Sequence, residues 1–171
     1  MEFMKLAAQR YSVRKFSDAP IEPEKLSAVL EAGNVAPTAK NLQPQRIYVL
    51  SSAEALEKVD GLTRCRFGAP VVLLIAYDAD EDWKNPLEEG IHAGQQDASI
   101  VATHIMLAAT EAGLGTCWVN LFPNSQANEA FDLPESIVPV LLMPIGYAAP
   151  DAKPSRLHDE RKPLEETVTY V

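Results

Sequence analysis

An unbroken apolar run at positions 70–77, PVVLLIAY, constrains the fold of this chain more than any other stretch. It is too rich in β-formers for a helix, and without polar alternation it reads as a buried central strand. Residues 95–112 matter almost as much. They are apolar on most sides, with Ile100, Val101, Ile105, Met106 and Leu107, and carry the small residues Ala98, Ser99, Ala102, Ala108 and Ala109. A helix that is apolar all round is buried, and small side chains let another helix come close. The segment is either the middle of a large core or a subunit interface.

Shorter elements surround these two. Phe3, Met4, Leu6, Ala7 and Ala8 give residues 2–9 a helical pattern that ends at Arg10. Pro23 suits the first position of a second helix, which Leu26, Val29, Leu30 and Gly33 continue to about Asn34. Residues 46–50 read as a strand, 53–59 as a helix, 116–119 as a short strand, 124–131 as a helix and 138–147 as a strand. Gly113 and Gly115 fit a helix stop followed by a tight turn. Residues 78–94, with Trp83, Pro86 and Gly90, read as a surface excursion, a lid or a partner contact. Pro150, Pro154 and Pro163 keep the tail irregular until residues 167–171 alternate like an edge strand. A length of 171 residues suits one domain, and no repeat or linker interrupts it.

A net charge of -9 argues against nucleic acid or an anionic membrane as partner. No apolar run reaches bilayer length. Glu2 and Lys5 interrupt the Met1 end where a signal peptide would be apolar, so the cytoplasm is the expected address. Cys65 and Cys117 lack the spacing of a zinc site or a redox pair, and His92, His104 and His158 are too scattered to ligate a metal.

Against this acidic background, residues 10–16 read RYSVRKF, with three cations and a hydroxyl in seven residues. Held extended, the stretch aims Arg10, Ser12, Arg14 and Phe16 one way and Tyr11, Val13 and Lys15 the other. Guanidinium groups match the oxygens of a phosphate, so this is either an anion site or a solvated basic turn. Arg161 and Lys162 form a second cationic pair in the tail. Residues 36–45, APTAKNLQPQ, carry Asn41 and Gln43, whose amides suit the edge of a heterocyclic ring or a polar surface loop.

Taken in order, these pieces resemble the nitroreductase family of FMN-dependent oxidoreductases. The resemblance rests on residues 10–16, Ala36 and Pro37 with Asn41, Leu42, Gln43 and Pro44, residues 113–119, Gly146 with Tyr147, and residues 161–166. It implies an α+β fold, a mixed central sheet flanked by helices, in an intertwined homodimer whose C-terminal tail crosses to the partner. It also implies one FMN at each of two interface sites, with NADH or NADPH as reductant. Hydride would pass through flavin N5 to a small acceptor, a nitroaromatic, quinone, enone or free flavin.

Position by position, the resemblance assigns Arg10 and Arg161 to the phosphate, with Lys162 nearby. Tyr11 lies in the same motif, and Ser12 and Arg14 would reach the ribityl chain and the pyrimidine end. Pro37, Thr38, Ala39, Asn41 and Gln43 match the loop that approaches the flavin from the other subunit. Trp118, Val119, Asn120 and Leu121 match the segment beside the ring, where a backbone N–H faces N5, and Cys117 just before them counts among the cofactor-binding residues. No side chain is assigned a catalytic role. Gln45 departs from the Trp that many relatives carry, and Asp159 and Glu160 precede Arg161 where some carry another cation. Two other classes fit the residues: a flavin-binding storage or redox-sensing protein without turnover, and a small oligomer whose basic clusters bind a sugar phosphate.

Overall fold

The computed structural model describes residues 2–171; Met1, at the head of the segment read as lacking a signal peptide, lies outside them. The apolar run forms β2 (Val71–Asp78), which pairs on one side with β1 (Gln45–Leu50) and on the other with β4 (Ile137–Gly146). Strand β3 (Gly115–Thr116) completes the order β1-β2-β4-β3, and all three pairings are antiparallel. Among the described residues the mixed character of the sheet comes down to one parallel bridge, Ser12 to Thr116.

Period-two geometry sends alternate side chains of β2 to opposite faces, and both faces are covered. Leu73, Ile75 and Tyr77, with Leu141, Met143 and Ile145 of β4, pack beneath α2 (Pro23–Asn34) and α4 (Gly94–Glu111). Val72, Leu74 and Ala76, with Leu142, pack against α3 (Ala53–Leu62) and α5 (Asn124–Ala130) through Val59 and Ala127. That is why the run shows no alternation. Leu73, Leu74 and Ile75 are fully buried, and truncating any of them to Ala costs about 2–5 kcal/mol.

Helix α4 presents Ala98, Val101, Ala102, Ile105 and Ala109 to the core, where α2 crosses it. Its other side leaves Ile100 37% exposed. The helix is therefore core on one face and open on the other. After β2 the chain makes its excursion around Asp82, a buried carboxylate that meets His92 Nδ1 at 2.6 Å, Lys84 Nζ at 3.2 Å and the Gly94 N–H at 3.2 Å.

The tail differs from its expectation. Residues 167–171 form no strand: a short 3-10 turn at Leu164–Glu166 leads into exposed chain, with Tyr170 95% exposed. Alternation supplies two faces, but a strand also needs a neighbour to take its hydrogen bonds. Among the described residues, 167–171 meet none. No helix among the described residues is long and apolar enough to cross a membrane.

Candidate functional site

Helix α1 (Phe3–Gln9) stops at Arg10, whose backbone is extended at φ -61° and ψ 127°. The basic stretch then runs beside β3, held by the Val13 N–H donating to Thr116 O at 2.9 Å. Val13 is buried directly on Gly115, where a Cβ would lie 2.4 Å from Val13 Cγ2. Only a glycine permits this approach, and Gly113 before it takes φ +78° to end the turn after α4. The GLG triplet is thus a seat for the basic stretch. Phe16 departs from the expected alternation: it turns inward to join Val13 and Ala69, because burying a phenyl ring outweighs strict period two. Lys15 leaves the site to pair with Asp151.

Arg10, Tyr11, Ser12 and Arg14 form one wall of a cleft of about 240 Å³, and the returning tail supplies the other wall through Ser155, Leu157, His158 and Arg161. Three guanidinium groups converge here and, among the described residues, no carboxylate lines the cleft, in a chain of net charge -9. The Arg161 guanidinium donates to His158 O at 2.5 Å and Glu160 O at 2.7 Å, and Arg14 donates to Ser12 O at 3.3 Å. Tyr11 and His158 meet edge to face at 6.2 Å. Lys162 does not line this cleft; it pairs with Glu166 at 3.6 Å. Sequence reasoning missed Ser155, Leu157 and His158. A signal was present in Ser155, whose hydroxyl accepts from the Leu157 N–H at 3.3 Å and caps a 3-10 turn at Arg156–His158.

Beyond Thr116 the chain stays extended along β4. The Cys117 N–H donates to Pro144 O and the Val119 N–H to Leu142 O, at 3.2 and 2.9 Å. Alternation therefore aims the N–H groups of Trp118 and Asn120 away from the sheet. The Asn120 side chain is occupied, its Oδ1 accepting from Trp118 Nε1 at 2.9 Å. Burial pushes the Cys117 thiol up, while nearby Arg14 and a hydrogen bond with Ser12 oppose the shift. It is a neutral thiol packed beneath the basic stretch.

The amide-rich loop lies elsewhere. Lys40, Asn41 and Gln43 all take left-handed backbone, at φ 50°, 53° and 53°, which for residues with side chains stores strain. Thr38 closes the loop on itself, its carbonyl accepting from the Asn41 N–H at 2.9 Å and its hydroxyl from the Gln43 N–H at 3.0 Å. Asn41 and Gln43 are exposed.

The register of β2 measures the gap between these parts. Val71 pairs with Ile145, which pairs with Thr116 beside Ser12; Tyr77, six residues on, pairs with Gln45, and the Asp78 N–H bonds Pro44 O at 2.8 Å. At roughly 3.4 Å per residue the ends stand about 20 Å apart. One chain brings Arg10, Tyr11, Ser12, Arg14 and Arg161 to one cleft with Cys117 close to Ser12 and Arg14, while Asn120 lines a separate depression with Arg64 and Phe122 and residues 37–43 stand at the far end of the sheet. Among the described residues no group of three or more His, Cys, Asp or Glu is placed to hold a metal.

The comparisons with known proteins agree with this architecture. A model described as "Nitroreductase family" matches residues 7–67 and 64–147. A nitroreductase family protein of Clostridium difficile 630, known by crystal structure, is 37% identical with a TM-score of 0.92, over 99% of this chain and 98% of that one. An FMN-dependent nitroreductase of Clostridium difficile R20291 is 27% identical with a TM-score of 0.76, over 98% of each chain. An NADPH-dependent oxidoreductase of Staphylococcus aureus is 29% identical over 166 residues, 85% of this chain and 64% of its own length.

Proposed function

Because the chain belongs to the nitroreductase family, we propose that it is an FMN-dependent oxidoreductase that carries reducing equivalents from NADH or NADPH to a small organic acceptor. The observation that carries the reading is the cleft of Arg10, Arg14 and Arg161, cationic and free of carboxylates inside an acidic protein. Its donor set fits the cofactor. Arg10 and Arg161 would hold the phosphate by charge-assisted hydrogen bonds, with Ser12 and Ser155 adding hydroxyls. Arg14, at the rim, would put positive charge against the pyrimidine end of the ring. The outward N–H of Asn120 is left to donate toward the ring edge. When bound, FMN supplies the ring that accepts and gives up hydride.

The same reading makes the protein a homodimer with shared sites. A loop about 20 Å from the cleft in its own chain is brought to a cleft only by a second copy related by two-fold symmetry, which does so at both sites at once. Exposed Ile100 on α4, and Leu157, Leu164 and Tyr170 in the tail, offer apolar surface for that contact. The acceptor belongs to the class of nitroaromatics, quinones, enones or free flavin.

The purified protein is expected to carry FMN, visible in its absorbance, and to bleach when NADH or NADPH is added without oxygen. A protein that takes up no FMN overturns the reading. FMN that binds but is not bleached by either nucleotide reduces it to storage or redox sensing.

A further inference from the structure

We propose that Asp97, buried on α4 and remote from the cationic cleft, is the positioning residue that fixes the shape of the 37–43 loop and thereby sets flavin affinity. The inference rests on the shared-site reading above. Asp97 is 2% exposed, and its Oδ1 accepts from the Ala39 N–H at 2.9 Å. Among the described residues it is the only side chain outside the loop that takes a backbone N–H between Pro37 and Gln43. Its Oδ2 is buried and has no hydrogen-bond partner among the described residues.

A half-satisfied carboxylate in a core is an expensive choice for a helix position that leucine would fill more cheaply. The first turn of α4 softens that cost, since its N–H groups favour negative charge. The remaining cost goes with a specific gain. The loop holds three left-handed residues in close succession, and its own bonds to Thr38 close it without fastening it to anything rigid. Asp97 makes that connection at Ala39, the first residue of the 3-10 turn that carries Asn41, whereas the other tie, from Arg46 Nη1 of β1 to Gln43 O at 3.4 Å, is long and reaches the loop only past that turn. An exposed loop that must meet a second chain's cofactor loses affinity for every alternative shape it samples, and a fixed loop does not. Helix α4 also ties the two halves together, running from Asp97 near the loop to the turn that seats the basic stretch.

The test uses the full-length protein as wild type, Asp97→Ala and Asp97→Asn, with Ala39→Pro removing the donor instead of the acceptor. Thr38 has φ -130° and ψ 160°, a conformation that a following proline accepts. Two quantities are read: hydrogen exchange of the Ala39 amide in flavin-free protein, and FMN affinity by fluorescence titration. Asp97→Ala should bring Ala39 exchange up to that of an exposed loop amide and weaken FMN binding about tenfold. Asp97→Asn keeps the Oδ1 acceptor and should restore both. Ala39→Pro should match Asp97→Ala in affinity, which covers the case that Asp97→Ala fails to fold. Unchanged Ala39 exchange in Asp97→Ala, or unchanged FMN affinity in both Asp97→Ala and Ala39→Pro, overturns the proposal. Loss in Asp97→Asn equal to that in Asp97→Ala overturns it too. A wild type that binds no FMN instead removes the shared-site reading beneath it.

Discussion

The two ends of β2 are built on different terms. At the Val71 end three distant segments lie close: residues 10–16 are held by backbone bonds to Thr116 and Phe67 and residues 117–119 by bonds to β4, while residues 155–161 are closed by their own capped turn and meet the basic stretch through the edge-to-face contact of His158 with Tyr11. At the Tyr77 end a single exposed loop stands in strained backbone, fastened by the buried Asp97 at Ala39 and by a longer bond from Arg46 to Gln43 O. The first region has what an anion needs within one chain. The second has exposed amides, Asn41 and Gln43, whose side chains meet no hydrogen-bond partner among the described residues. Under the proposed shared-site reading, cofactor binding would depend on assembly, because neither half would be sufficient alone.

The sharpest way to break this contrast is at the cleft. Arg10→Ala combined with Arg161→Ala removes two charge-assisted partners, each contributing about 1.5–3 kcal/mol, and should weaken FMN binding by two orders of magnitude or more in a fluorescence titration. Unchanged flavin content in that variant would remove the phosphate assignment.

Mixing tests the division itself. A chain defective at Arg10 and Arg14 and a chain defective at Asn41 and Gln43 should each bind no flavin, while a refolded mixed dimer should regain about one site in two. If nothing returns in a verified mixed dimer, both halves belong to one chain and the contrast is wrong.

Within the cleft half, Asn120 separates backbone from side chain. Asn120→Pro removes an N–H aimed away from the sheet and should reduce FMN binding or the rate of reduction by NAD(P)H about tenfold, whereas Asn120→Ala should keep most of both. Equal losses would shift the role to the amide, which now bonds Trp118.

The smallest effect concerns how the tail is started toward the cleft. A hydrogen bond from Lys15 holds the Asp151 carboxyl below its ordinary range. A lowered folded-state pKa gives stability that is present above the unfolded-state value and disappears as pH falls through the folded-state value. Acidification below the ordinary aspartate range should therefore loosen the tail slightly. Both groups are exposed, so the change should be near the limit of a thermal melt, and Asp151→Asn should remove the pH dependence.

Much of this was legible beforehand. The run at 70–77, the helix read at 95–112 and Pro23 at a helix start are local signals, and each element stands where its periodicity or its proline demands. The basic stretch was legible as a candidate anion site because its charge runs against the chain. Other features were not. Phe16 was assigned to the arginine face by period two alone, and burial with Val13 turned it inward. Lys162 could not be told from Arg161 by sequence position, yet one lines the cleft and the other pairs with Glu166. The alternation at 167–171 promised a strand that found no partner.

The sequence by itself determined the helices and the core strands, though not the fate of residues 167–171, and which residues carry positive charge or amide chemistry, because those depend on neighbours a few residues away. Only the tertiary structure decided that Arg10 and Arg161 share one cleft, that Ser155 and His158 complete it, and that the 37–43 loop stands at the opposite end of the sheet. Those outcomes follow from the antiparallel register of β2 with β1 and β4, and from the path of the tail across the basic stretch. Contacts between residues some 150 positions apart leave no periodic trace, since they arise from packing the two covered faces of the sheet.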